Sequence, residues 1–387
     1  MPEKLDFQFH HVQLFVNRLK PLTEYKKLER RLNMLANRGH FDPFSGGMRY
    51  LEPKAQMDRV LAGRQVWQEI IAAEEEGGEE GQDSDIVEQL IIGLGWRVTA
   101  EYRGGGTRCL LVTSADACGV KLCVTALEEE EKEEASAAPS LFPHFDQELV
   151  RTMFDAHGGR QVIGVLGFEV MEGIEEIVRR YQQKHPKLMI DQQPHTWRDV
   201  RTVCIGGKEV VKELGSMRIF DVYAYYKSEE EADLGTRLRF VERRGNYARA
   251  EGFSNPLGVL PGLEDVNAKF DGTSIPSYSD HWVSNVRDRK KFLQVLQETL
   301  GFVPKVEFNA GVVAAGEAMI ESTVVGNTSA HLSYKEEEVL RDQSQVYLPI
   351  NNALSDAGHV HWFLEEHGQG CSILPAVWRT LCLLWSE

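Results

Sequence analysis

The fold is decided by the stretch from Ser277 to Asn327, which contains SYSDHWVSNVRDRKKFLQVLQETLGFVPKVEF followed by GEAMIESTVVGN, together with LPINNA at Leu348–Ala353. A short strand pattern leads into a charged amphipathic helix, and two further strand-like runs follow it. The helix pattern stops at Gly301, as helices commonly do, because glycine accepts the left-handed conformation that follows the last turn. This order predicts one βαβββ module.

The same order of strand, helix and strands recurs twice nearer the N-terminus. One copy opens with FHHVQLFV at Phe9–Val16 and the other with QVIGVLGFEV, and they predict modules at about 6–128 and 155–245. In the first copy the glycines at Gly104–Gly106 separate two strand patterns. We predict a hairpin there and not a phosphate loop, since no Lys-Ser/Thr follows. The sequence therefore predicts an α+β fold.

In its details (DHWVSNV, LGFVPKVEF, ESTVVGN and LPIN) the chain resembles 4-hydroxyphenylpyruvate dioxygenases of the vicinal-oxygen-chelate superfamily, over roughly residues 5–370. The resemblance implies tandem βαβββ modules that form open barrels in pairs. It divides the chain into the following parts: an N-terminal paired-module domain at 1–254, a Pro/Gly-rich connector at 255–276, a third module at 277–370 that is half of a catalytic domain, and an atypical tail at 371–387.

The family pattern places a fourth module directly after HGQG at His367–Gly370. The seventeen residues that follow, CSILPAVWRTLCLLWSE, contain no second set of strand patterns. We therefore expect the fourth module to be missing and the C-terminal domain to be incomplete. An unpartnered third module would expose an apolar sheet face, so poor solubility or self-association is also expected, and a homo-oligomer is possible.

The resemblance implies an Fe(II) centre that converts 4-hydroxyphenylpyruvate, an aromatic 2-oxo acid, and dioxygen to homogentisate in tyrosine catabolism. Two histidines and one carboxylate hold the iron in this family. His281 matches the first ligand, while Ile373 occupies the place of the second histidine and the glutamate has no counterpart. Ser322, Pro349 and Asn351 match substrate-binding positions.

Each of these assignments has a structural alternative. His281 could be a histidine of a half-buried strand, Ser322 an ordinary strand serine, and Asn351 a turn-forming residue. The chain also departs from the family at LPINNA, where LPINEP is usual, and at His359, which replaces a glutamine. Two other functions therefore stay open: a metal-free, inactive paralogue that acts as a binding or scaffold protein, and a related 4-hydroxymandelate synthase.

Composition narrows the class of protein. A formal net charge of −16 argues against binding of nucleic acid or of acidic membranes. Two acidic loops, at 74–85 and 128–140, are expected to be solvated. Six cysteines without a CxxC pair indicate reduced thiols, and no signal peptide or run of eighteen apolar residues is found, so we expect a cytoplasmic protein.

The remaining histidines can be explained without a metal-binding or catalytic role. His10 and His11 fall in the first strand of the N-terminal domain, which is metal-free in the family, and we expect them to be structural. His361 and Glu365 are i,i+4 neighbours in HVHWFLEEH, but a solvated helix face explains them better than a metal site does.

Overall fold

A computed structural model of the chain describes residues 7–36, 53–75, 85–114, 121–128, 142–170, 173–206, 208–245, 259–266, 281–315, 318–327 and 346–372. Over these ranges the protein is α+β, as predicted: one mixed sheet of 14 strands is covered by helices. None of the described helices is long and apolar enough to cross a membrane.

The strand, helix and strand order predicted for each module is present, and the sequence did not predict the helices Ile86–Leu94 and Gln147–Ala156 or the short strands Glu264–Asp265 and Gly370–Ser372. The strands are β1 Phe7–Phe15, β2 Arg97–Gly104, β3 Thr107–Thr113, β4 Lys121–Leu127, β5 Val162–Val170, β6 His195–Ile205, β7 Lys208–Tyr223, β8 Arg237–Gly245, β9 Glu264–Asp265, β10 Val283–Asn285, β11 Val303–Ala315, β12 Ala318–Gly326, β13 Tyr347–Ala353 and β14 Gly370–Ser372. The α-helices are α1 Leu22–Ala36, α2 Pro53–Glu75, α3 Ile86–Leu94, α4 Gln147–Ala156, α5 Ile174–Lys184, α6 Arg289–Leu300 and α7 His359–His367. Two 3-10 turns lie at Pro143–Phe145 and Pro186–Leu188.

The three predicted modules share one strand order. In each, the first strand is parallel to the last, and the other strands continue antiparallel, which gives the orders β1-β4-β3-β2, β5-β8-β7-β6 and β10-β13-β12-β11. The first two modules join through antiparallel pairing of β1 with β5. The third joins through β14, which pairs with β10 and at Cys371 with β5. Closure of these sheets into barrels, and the division into domains, stay predictions.

The turn and helix-end signals in the sequence form the local structures that were predicted from them. Gly105 and Gly106 form the two-residue turn between β2 and β3, with φ of 57° and 71°, so the Gly-rich segment is a hairpin. Asp288 is the N-cap of helix α6, where its side chain accepts a hydrogen bond from Lys291 N, and Gly301, with φ of 72°, is the C-cap.

The third module packs its helix side against the first two modules. Phe302, just after α6, lies edge-on to Phe7 of β1, with ring centroids 5.4 Å apart, and also contacts Phe168 of β5. Tyr225 Oη donates to Ser284 Oγ at 3.0 Å. One apolar core therefore runs through all three modules.

The structure refines three boundaries drawn from the sequence. Asp85, the last residue of the first acidic loop, is the N-cap of α3, where its carboxylate accepts hydrogen bonds from Glu88 N and Tyr25 Oη. Residues 259–266 of the connector contribute β9, which pairs with β2. The tail begins inside β14, at Cys371. Most of both acidic loops, and the tail after Ser372, lie outside the described residues.

Candidate functional site

The strands of the third module have one buried face and one face that retains some exposure. The face that packs against α6 and the N-terminal modules is closed, and it consists of Ser284, Val286, Thr323, Val325, Leu348, Ile350 and Cys371. Because side chains alternate along a strand, the intervening residues form the opposite face, which we call the inner face. Ile320, Val283 and Pro349 on this face are only partly buried.

Polar side chains cross the inner face in a row that is perpendicular to the strands. Ser322 of β12 is paired in register with Asn351 of β13, Asn351 with Asn285 of β10, and Asn285 with Gly370 of β14. Asn351 Nδ2 donates to Asn285 Oδ1 at 3.4 Å, and Asn285 Nδ2 donates to Ser372 Oγ at 3.2 Å. We call Ser322, Asn351, Asn285 and Ser372 the polar row.

The three substrate positions proposed from the sequence meet on this face. Ser322 and Asn351 are direct partners, and Pro349 lies two residues before Asn351 on the same side of β13. Pro349 occupies a central strand, where its missing N–H removes a donor from the ladder; proline is rare at such places. Ser322 is buried, with 7% of its surface exposed, and no hydrogen bond of its hydroxyl is found within the described residues, which leaves that hydroxyl for a ligand.

His281 does not lie in the polar row. The sequence predicted a strand over SDHWVSNV, but β10 begins at Val283, and His281 precedes it in an exposed position. Among the described residues, Trp282 also joins the pairing, since its N–H donates to Tyr347 O at 3.3 Å. His281 is four residues before Asn285, so it lies beyond the end of the strand that carries the row.

Sequence reasoning missed Asn285 and Ser372. Asn285 shares the strand parity of His281 and Val283, and that alternation could have identified it. Ser372 could not be found locally, because its neighbour in the row is 87 residues away. Gln369, just before β14, was also missed; its side-chain amide bonds Arg287 N, Tyr226 O and Asp233 Oδ2 and fixes where β14 begins.

The described residues do not by themselves fit the iron centre that the resemblance implies. They contain no group of three or more His, Cys, Asp or Glu side chains placed to hold a metal ion. The polar row offers only amide and hydroxyl groups, whereas the family's iron requires two imidazoles and a carboxylate. Ile373, at the place of the second histidine, lies outside the described residues.

Helix α7 agrees with its interpretation as a solvated helix. His359, Glu365 and Glu366 are exposed, and Glu365 bonds Arg287 at 3.3 Å.

The corresponding face of the N-terminal modules is closed and charged. Arg239 of β8 is fully buried, donates to both carboxylate oxygens of Asp221 at 2.8 and 2.7 Å, and reaches Gln13 Oε1 at 3.0 Å. Burial would raise the pKa of Asp221, but the charge and hydrogen bonds of Arg239 outweigh it and lower that pKa. This pair therefore holds its charges in the interior.

Two neutral histidines complete this N-terminal face. Burial, with a contribution from the charge of Arg239, lowers the pKa of His144 to about 3. Burial also lowers the pKa of His11 well below its ordinary value. His144 belongs to the 3-10 turn that covers the face together with the buried Val259, Leu260 and Leu263. His10 and His11 have their Nδ1 atoms 2.7 Å apart inside β1, in agreement with a structural role.

Comparisons with known proteins find likeness in the fold. No protein-family model matches the chain, and no curated protein matches it in sequence. Among solved structures, a triple mutant of 4-hydroxymandelate synthase from Streptomyces coelicolor is similar at a TM-score of 0.47 and 11% identity, covering 95% of this chain and 69% of that one. A xylose isomerase-like TIM barrel/4-hydroxyphenylpyruvate dioxygenase fusion protein is similar at a TM-score of 0.36 and 12% identity. The match covers 89% of this chain and 47% of that one.

A hypothetical protein from Staphylococcus aureus gives a TM-score of 0.32 at 8% identity, over 67% of this chain and 77% of that one. Identities at this level describe a likeness in chain path and carry no information about the substrate.

Proposed function

We propose that this chain is a dioxygenase of the 4-hydroxyphenylpyruvate type and that the inner face of its third module binds the aromatic 2-oxo acid. The supporting observation is that Ser322, Pro349 and Asn351, which were selected by motif resemblance alone, share one face, with Ser322 and Asn351 in direct register. Homogentisate is the proposed product, Fe(II) the proposed cofactor and the cytoplasm the proposed location.

The polar row suits a ligand that presents both hydrogen-bond donors and acceptors. The amide of Asn351 offers both kinds of group, and the hydroxyl of Ser322 can take either role. Pro349 and the half-buried Val283 supply apolar surface beside them, the usual composition of a small-molecule site. We assign binding and orientation of the 2-oxo acid to these residues, and no step of oxygen chemistry to the described residues.

A metal-free binding protein is the second candidate function. The neutral donors of the polar row favour it, since they can hold a polar organic ligand without an ion. A 4-hydroxymandelate synthase differs from the first candidate only in its product.

Calorimetric titration with 4-hydroxyphenylpyruvate under nitrogen, with and without added Fe(II), tests the proposal, followed by oxygen uptake and mass spectrometry of the product. The dioxygenase predicts binding, iron-dependent oxygen uptake and homogentisate. Hydroxymandelate would identify the synthase, and binding without oxygen uptake would identify the metal-free protein. Absence of binding in both titrations would refute the site.

Asn351 and Asn352 form a matched pair for this test, because they are neighbours on opposite faces of β13. Asn351→Ala should weaken binding by about tenfold, the value of one hydrogen bond of about 1.4 kcal/mol. Asn352→Ala removes a contact with Arg289 Nε at 3.2 Å and should leave affinity unchanged. Equal effects of the two variants would indicate a general loss of stability.

A further inference from the structure

The segment between β7 and β8, residues 224–236, belongs to the second module but contacts the third. Backbone hydrogen bonds close it on itself: Ala224 N donates to Thr236 O at 3.1 Å, and Asp233 N donates to Tyr225 O at 2.9 Å. Tyr225 is 2% exposed and Thr236 is fully buried. We call residues 224–236 the bridging loop. Buried, hydrogen-bonded backbone opens rarely, so this loop can hold in place whatever it contacts.

Tyr225 of the bridging loop holds β10 just before Asn285. Its Oη donates to Ser284 Oγ at 3.0 Å, and both residues are buried. Its ring packs on Phe292 of α6, with the ring centroids 4.8 Å apart. Ser284 and Asn285 are consecutive residues on opposite faces of one strand, so the contact that fixes Ser284 also fixes where Asn285 points.

Gln369 holds β10 just after Asn285. Its Oε1 accepts a hydrogen bond from Arg287 N at 3.0 Å. Its Nε2 donates to two oxygens of the bridging loop, Tyr226 O at 2.9 Å and Asp233 Oδ2 at 3.0 Å. Gln369 is itself 4% exposed. One buried side-chain amide therefore links the strand that carries Asn285 to the second module.

The bridging loop also reaches Ser372, the last member of the polar row. Thr236 Oγ1 accepts a hydrogen bond from Cys371 N at 3.2 Å and donates to Ile163 O of β5 at 2.9 Å. Cys371 directly precedes Ser372, whose Oγ accepts the hydrogen bond from Asn285 Nδ2. The end of the polar row at Asn285 and Ser372 is thus attached to the second module as well as to its own strands.

We propose that Tyr225 and Gln369 are positioning residues for the ligand site of the third module, and that they act by fixing the side chain of Asn285. Asn285 Oδ1 accepts the hydrogen bond from Asn351 Nδ2 at 3.4 Å, a long bond that a small shift of Asn285 would break. A fixed Asn285 therefore keeps Asn351 in the orientation that a ligand meets. The effect on ligand affinity rests on the proposed function, whereas the effect on Asn285 does not.

Hydrogen exchange of the Asn285 side-chain amide tests the positioning without a ligand. In the full chain labelled with 15N-asparagine, its Nδ2 resonance is the one that Asn285→Ala removes. Tyr225→Phe and Gln369→Met should each raise its exchange rate by about tenfold or more, because β10 loses an attachment on one side of Asn285.

Arg180→Leu is the matched control for these two variants. It removes another hydrogen bond between the second and third modules, from Arg180 Nη1 of α5 to Thr299 O of α6 at 3.1 Å, which does not involve the bridging loop or the polar row. The exchange rate of the Asn285 amide should therefore equal that of wild type, although the protein is less stable in urea.

Calorimetric titration of the same proteins with 4-hydroxyphenylpyruvate tests the consequence for affinity. Tyr225→Phe and Gln369→Met should each weaken binding by about fivefold, roughly the value of one hydrogen bond. In an Asn285→Ala background, the same two substitutions should change affinity by less than about twofold while still lowering stability in urea. Arg180→Leu should keep the affinity of wild type.

Two results would overturn the proposal. One is a wild-type exchange rate of the Asn285 amide in both variants. The other is an undiminished loss of affinity in the Asn285→Ala background, since Tyr225 and Gln369 would then not act through Asn285. Tyr225→Phe removes a single hydroxyl and stays informative if Gln369→Met does not fold. If the wild-type protein binds no 4-hydroxyphenylpyruvate, the proposed function fails, and the exchange rates alone confirm or overturn the positioning.

Discussion

The N-terminal modules and the third module share one strand order, but their inner faces carry different side chains: charged ones in the N-terminal modules and short neutral ones in the third. The N-terminal face is sealed by a 3-10 turn and by residues 259–266, and it buries the ion pair of Arg239 with Asp221. The third module buries a row of short neutral side chains instead, among them Ser322 and Asn351. Under the proposed function, the same strand order serves as scaffold in one part of the molecule and presents a ligand face in another.

Removal of one charge from the sealed face should have the largest effect on stability. Arg239→Leu leaves Asp221 buried, with its carboxylate short of both guanidinium hydrogen bonds. Unpaired buried charges cost about 3–5 kcal/mol, and we expect the free energy of unfolding to fall by that amount in urea titrations.

The double variant Arg239→Leu with Asp221→Leu separates charge burial from packing. Replacement of both partners by apolar groups is often close to neutral, so most of the loss should be recovered. A double variant as unstable as the single one would mean that the pair's shape, and not its charge, holds this face together.

The modules could be predicted from the sequence, but the buried ion pair of the sealed face could not. Alternating apolar residues and turn glycines are local signals, and they were enough to predict three copies, the hairpin at Gly104–Gly106 and the end of α6 at Gly301. Arg239 resembles any solvent-facing residue of an alternating strand. Its burial depends on a cover from residues 142–145 and 259–266, part of which was interpreted as a connector.

Only part of the candidate site could be predicted, because only its local motifs are visible in the sequence. Ser322, Pro349 and Asn351 lie in motifs that can be recognised along the chain. Asn285 and Ser372 join them only through register between distant strands. His281 was placed inside a strand because alternation continues through SDHWVSNV, whereas β10 begins at Val283. Hydrogen-bond register is a tertiary property that the pattern of one strand does not contain.

Acid should weaken the sealed face through its neutral histidines. The native pKa of His144 is about 3, below the roughly 6.5 of an unfolded chain, so the unfolded state binds the proton first as pH falls. Stability is therefore lost progressively from about pH 6.5 toward pH 3, at up to about 1.4 kcal/mol per unit for this residue. His144→Gln should remove about 2 kcal/mol of the wild-type loss between pH 7 and pH 5, measured by urea unfolding at each pH.

The surface variant His359→Gln controls for the removal of an imidazole, because His359 is exposed on α7. The pH profile of His144→Gln should be shallower than that of this control. Parallel profiles would show that His144 is not kept neutral in the native state.

The smallest expected change in the free energy of unfolding comes from Ser322 of β12. Its neighbour Thr323 lies on the opposite face of the strand, so the two residues together distinguish a ligand face from a structural one. Ser322 points to the inner face, and no hydrogen bond of its hydroxyl is found within the described residues, so Ser322→Ala should change the free energy of unfolding by less than about 0.5 kcal/mol. Thr323 points the other way, is fully buried and accepts a hydrogen bond from Arg289 Nη1. Thr323→Val should cost about 1–3 kcal/mol, because a buried guanidinium N–H loses its acceptor.

The effects of Ser322→Ala and Thr323→Val on ligand affinity should be the reverse of their effects on stability. If the inner face binds the 2-oxo acid, Ser322→Ala weakens binding while the protein stays as stable as wild type, and Thr323→Val weakens stability while affinity is kept. A polar residue that costs nothing to remove, yet lowers affinity when removed, is retained for the ligand and not for the fold. Loss of stability in Ser322→Ala, with unchanged binding, would instead make the polar row another sealed face like that around Arg239.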